Sequence, residues 1–249
     1  MISIKKLKPI HWIILFIVWG IGLHLIGNSV RLFVAERYHR EGYFFAQRGY
    51  ARFAVTELEQ AVKNAPWETR FKLELGKSME QLATSQVIRK KRVSQYLSII
   101  PLYMDIIDKT PNNPWYKNRL SYLYHQLMAQ QPDKKELYMP LAEKYSFEAA
   151  QMDSKNPLFL VSYAQLLHSA LRYDEAIPYY EKVFTYDSKM LEAPYNLGDI
   201  YFRKGLTKKS LEKYLFVYDS NPDYQYTRTA LGQIYLLTNN YPKAIAILE

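Results

Sequence analysis

Few side chains in this sequence of 249 residues are placed to do covalent chemistry. Of its five histidines, His11 and His24 fall inside an uncharged apolar stretch, while His39, His125 and His168 are far apart. No His-Glu-x-x-His pairing puts two imidazoles on one helix face, so that zinc-hydrolase arrangement is absent. The absence of cysteine excludes disulfides, Cys-ligated zinc, iron–sulfur clusters and thiol nucleophiles. Asp174-Glu175 falls where a turn between helices is expected, and acidic residues there serve as helix-start charges. There is no Gly-x-Gly-x-x-Gly or Walker loop to cradle phosphate. The reading is a chain without catalytic residues, metal or cofactor. The one dense charge cluster is Arg89-Lys90-Lys91-Arg92. It reads as a solvated helix face or turn, or as a contact for anionic lipid or an acidic partner surface; nucleic acid is the least favoured ligand.

The elements that carry these residues repeat. Leu197-Gly198, Tyr201, Ser210, Tyr214, Val217 and Pro222 return 34 residues later as Leu231-Gly232, Tyr235, Ala244 and Leu248. The preceding window holds Tyr163-Ala164, Leu167, Ala176, Tyr180, Val183 and Ser188. An earlier unit carries Gly42, Phe45, Ala54, Leu58, Ala61 and Pro66. Leu75-Gly76 with Met79, and Leu120-Ser121 with Tyr124, open two more, whose second halves come late. A small residue after the leucine lets two helices approach closely, and large residues at helical spacing fill the gap. Proline then ends the second helix. This pattern resembles the tetratricopeptide repeat, a 34-residue helix–turn–helix. The resemblance implies an all-α fold, a right-handed solenoid of about six units over residues 35–249. Insertions fall in the second unit (about 83–98) and the third (about 128–141), where Pro101, Pro132 and Pro140 argue for breaks or kinks. Many of the 23 tyrosines fall on or beside the aromatic slots, as core residues with a polar tip.

Ahead of the repeats, Ile10 to Ile26 is uncharged and long enough for about 25 Å of helix, near the lower limit for a bilayer core. It reads as a transmembrane signal anchor, preceded by a basic segment at 1–9 with Lys5, Lys6 and Lys8. A short juxtamembrane linker is expected at 27–34. The formal charge of +9 is uneven: residues 1–133 hold 19 Lys/Arg against 10 Asp/Glu, and residues 134–249 hold 14 of each. The basic half thus adjoins the anchor, which suits anionic headgroups. The last unit has no polar helix after it, so Ile245 and Leu248 are expected on an open stacking face. A partner or a second copy covers that face, or the natural protein is longer.

The resemblance places any binding face on the first helices of the units, where an extended peptide or partner helix docks. That face should present His39, Arg40, Tyr43, Lys77, Trp115, Asn118, Arg119, Tyr122, His125, Tyr195, Asn196, Asp199, Phe202 and Arg203, with His168 on the same side. Its aromatic residues and arginines are the types that concentrate binding energy. The Lys and Asn set of the chaperone-binding members is not assembled. The expectation is a non-enzymatic scaffold, single-pass in a bacterial cytoplasmic membrane, with periplasmic repeats that assemble a cell-envelope complex. The alternatives are a cytosol-facing receptor that recruits client proteins to the membrane, or a non-catalytic subunit of a membrane enzyme.

Overall fold

The computed structural model describes residues 9–224 and 226–249. Within them the chain is helical, and it divides into two compact units, 1–110 and 111–249. Of the basic segment expected at 1–9, all but Pro9 lies outside the described residues.

The first unit begins with α1, Pro9–Gln47, a single helix of 39 residues. Its most apolar stretch has a mean hydropathy of 2.0, and none of it is buried against the protein. By length and composition this helix is apolar enough to cross a bilayer, a character that a signal sequence near an N-terminus shares. The linker expected at 27–34 is not a separate segment. No proline interrupts it, so no backbone donor is lost, and the Ser29 hydroxyl donates back to the Leu25 carbonyl within an unbroken helix.

The second half of α1 pairs with α2, Ala51–Asn64. Ala51, Ala54, Leu58 and Ala61 are buried at spacings of three and four, one stripe of a helix. Gly42 permits the approach: a Cβ there would stand 2.6 Å from Leu58 Cγ. α3, Thr69–Ser85, and α4, Arg89–Lys109, form the second hairpin. Gly76 faces the Tyr103 ring, whose hydroxyl donates to Glu80 Oε1 at 2.6 Å. Ion pairs tie the elements together: Arg70 to Glu36, and buried Lys72 to Asp105 at 2.7 Å.

The second unit stacks four hairpins: α5 (Pro114–Gln130) with α6 (Lys135–Met152), α7 (Pro157–Ser169) with α8 (Tyr173–Tyr186), α9 (Glu192–Arg203) with α10 (Thr207–Ser220), and α11 (Thr227–Leu237) with α12 (Tyr241–Leu248). Asn113 and Asn156 cap α5 and α7 by accepting from the Trp115 and Leu158 amides. Phe159, Leu167, Tyr180, Leu197 and Ile200 fill the core, and Tyr201, Tyr214 and Tyr235 are buried on their repeat slots. Ser210 opens the second helix of its hairpin by donating to the Gly198 carbonyl at 2.8 Å. Ile245 and Leu248 lie exposed on α12.

The inserted residues become length. α4 runs for 21 residues, and a 3₁₀ turn at Pro132–Lys134 leads into α6. Pro132 marks a break as expected, but Pro101 and Pro140 do not end their helices. Each ring faces outward, while Ile99 and Tyr103, or Tyr138 and Ala142, are buried around it. That burial offsets the roughly 3 kcal/mol a helical proline costs.

Candidate functional site

In the second unit the first helices stand beside one another, α5 against α7 and α7 against α9. Their aligned register gathers the expected binding residues most closely at α9 and α11. There Tyr195, Asp199, Phe202 and Arg203 of α9 meet Tyr226, Thr229, Ala230 and Gln233 around a cleft of about 360 Å³, floored by Tyr214. The Tyr195 ring stands edge-on to Tyr214 at 5.5 Å and to Tyr224 at 5.7 Å. Burial pushes the Tyr195 phenol upward, with the Asp199 charge adding to the effect against a smaller lowering by the Tyr226 backbone hydrogen bond, so the group is neutral.

Asp199 is the electrostatic centre. Its Oδ2 accepts from Arg203 Nε at 2.7 Å and meets His168 Nε2, on α7, at 2.9 Å. Burial pushes this carboxyl upward, but the hydrogen bonds from His168 and Arg203 and their charges outweigh it and hold it below its ordinary value. His168 in turn packs edge-on against Tyr173 and Tyr180. The arrangement offers aromatic faces, an amide, a hydroxyl and a half-exposed guanidinium, a set suited to an extended chain and its side chains.

The other expected residues are placed differently. Asn196 donates to the Glu192 carbonyl of its own helix at 2.8 Å, which turns it away from a ligand. Trp115 is half-exposed, edge-on to Phe159 at 4.8 Å. Tyr122 is exposed, and Asn118, Arg119 and His125 are half-buried along α5. Burial lowers the His125 imidazole below its ordinary value. In the first unit His39 lies against the Phe71 ring at 4.9 Å, and burial followed by the Arg70 charge lowers it. Arg40 and Tyr43 are exposed, and Lys77 pairs with Glu74 at 2.8 Å. Sequence reasoning missed the α11 wall, although the signal was present: Thr229 and Gln233 lie 34 residues beyond Tyr195 and Asp199. Among the described residues, no group of three or more His, Asp or Glu is placed to hold a metal ion.

Residues 159–190, covering α7 and α8, match the family model for the tetratricopeptide repeat. Solved structures agree on the fold. A tetratricopeptide repeat protein of Parabacteroides merdae aligns with a TM-score of 0.66 at 14% identity, over 86% of this chain and 77% of its own. A thermophilic tetratricopeptide repeat protein of Thermus thermophilus aligns at 0.58 with 16% identity, over 81% and 99%. YrrB, described as a tetratricopeptide repeat protein with an unusual peptide-binding site, aligns at 0.56 with 16% identity, over 78% and 89%. A sequence search of curated proteins found no match. The chain therefore carries a tetratricopeptide repeat within a fold of the same kind, and at these identities the structural likeness concerns fold alone.

Proposed function

We propose that this chain is a non-enzymatic scaffold, held in a bacterial cytoplasmic membrane by α1, whose periplasmic repeats assemble a cell-envelope complex. The observation that carries the binding role is the α9–α11 cleft, where Tyr195, Phe202 and Tyr226 surround the anchored Asp199–Arg203 pair. Its ligand is an extended segment of a partner protein. Peptide binding by YrrB, a neighbour in fold, supports that reading. The anchor is argued from the exposed apolar length of α1.

Two experiments test the two halves. Ser188 is exposed and the chain has no native cysteine, so Ser188→Cys gives one reporter. A membrane-impermeant thiol reagent should label it once the outer layer alone is permeabilised. Protection until the inner membrane is lysed reverses the topology and makes the cytosol-facing receptor the reading. For the cleft, Tyr195→Ala with Phe202→Ala should remove a crosslinked envelope partner, with about a hundredfold weaker binding if both are hot spots. An unchanged set of crosslinked partners rules out the cleft as the binding site.

A further inference from the structure

The first unit carries a second surface, remote in chemistry from the α9–α11 cleft. The turn after α1 and the end of α3 together enclose an open cleft of about 860 Å³ lined by residues 49–53, 81–82 and 84–88. Its apolar side chains are turned to solvent: Val87 is 92% exposed, Phe53 61%, Tyr50 56% and Ile88 55%. Six cations lie in its lining segments or directly beside them along the chain. Arg52 lines the cleft, Arg48 immediately precedes it, and Arg89, Lys90, Lys91 and Arg92 follow Ile88 directly.

No acidic residue occurs from Arg48 to Thr56 or from Gln81 to Met104, and none of the six cations pairs with a carboxylate among the described residues. Arg92 turns back on the Gln86 carbonyl, and Arg48 lies over the Phe44 ring at 3.9 Å. The run also opens α4 without an acidic residue or side-chain cap, adding positive charge at a helix end that is already positive. Such a sequence weakens its own helix, so fold stability does not account for it.

We propose that this basic-rimmed cleft docks an acidic, amphipathic segment of a protein partner, apolar side chains inward and carboxylates toward the rim. The choice of protein over lipid rests on the proposed span. Gln47 ends α1 21 residues beyond Ile26, about 31 Å along a straight helix. That puts the rim several Debye lengths, each about 8 Å, from the headgroups.

The test uses the full chain in nanodiscs of neutral lipid and a fluorescein-labelled helical peptide, with glutamates on one face and leucine and phenylalanine on the other. Saturable binding is expected, weakened by salt. Arg89→Gln, Lys90→Gln, Lys91→Gln and Arg92→Gln combined should weaken it by about tenfold or more, from several exposed ion pairs of modest strength. Phe53→Ser with Val87→Ser, both at exposed positions, should weaken it as well while helicity is retained. Absence of binding, equal binding by the quadruple variant, or equal binding of a peptide with glutamine for glutamate overturns the proposal. So does a run-dependent affinity for anionic vesicles or an oligonucleotide in place of the peptide. Tyr195→Ala with Phe202→Ala should leave the peptide bound; loss there moves the acidic ligand to the α9–α11 cleft and overturns this proposal alone.

Discussion

Single residues on the first helices show how burial and hydrogen-bond partners together set their chemistry. Asp199 is half-buried yet stays ionised because one of its oxygens takes both His168 and Arg203. His125 has no such help, and burial alone lowers it. A ring that titrates lower folded than unfolded leaves the unfolded chain with more bound protons between the two values. Stability is therefore full above about pH 6.5, the unfolded value, and falls as the pH drops through the folded one. His125→Gln should flatten part of that loss. Urea midpoints of both proteins at pH 7.5 and pH 5 measure it, and an equal drop in the two would show that His125 does not contribute. Asp199 acts at lower pH with the same sense: its share is present above the ordinary carboxylate value and disappears as the carboxyl protonates.

Among the elements, the turns repeat as faithfully as the helices. Leu171, Gly205 and Asn239 lie 34 residues apart, and all three have positive φ, 62°, 72° and 56°, where the first helix of a hairpin ends. Glycine and asparagine suit this left-handed position, but leucine is strained there by roughly 1–2 kcal/mol. Leu171 is largely exposed, so its side chain gives little in return. Leu171→Gly should raise stability by about 0.5–1 kcal/mol, seen as a higher urea midpoint at unchanged slope. Gly205→Ala should lower it by about as much. A Leu171→Gly protein no more stable than the parent would mean the side chain packs better than its exposure implies. The 34-residue period made the hairpins and their small-residue contacts at Gly42, Gly76, Gly198 and Gly232 legible, because those positions are fixed by close approach. The path through Pro101 and Pro140 was not legible, since local propensity there is overridden by burial on the opposite face. The α11 side of the cleft was readable by counting one period onward. The turning of Asn196 into its own helix was not, because a side-chain rotamer leaves no trace in spacing.

For the whole molecule the decisive feature is the continuity of α1 from its apolar start to its contact with α2. A helix of 39 residues spans about 58 Å, of which a bilayer core would take about 30 Å under the proposed anchoring. The remainder is the first helix of the first hairpin, with Ala35 fully buried and Phe33, Arg37 and Arg40 exposed. A membrane span joined in this way would hand its direction to the first hairpin, and a flexible link would not. Single cysteines along α1, in a chain that has none of its own, can read this difference with an impermeant maleimide in proteoliposomes. Cysteine at Ile17 or Leu25 should stay unlabelled in lipid. Cysteine at Phe33, Arg37 or Arg40 should label, and at Ala35 it should be protected by packing. Labelling at Ile17 and Leu25 would remove the span and with it the membrane scaffold. Uniform labelling from 27 to 37 would keep the span but replace the rod with a hinge, and the basic-rimmed cleft would then be free to reach the headgroups. The helical alternation of reactive and protected positions is the outcome that holds that cleft away from the bilayer and presents it to a protein.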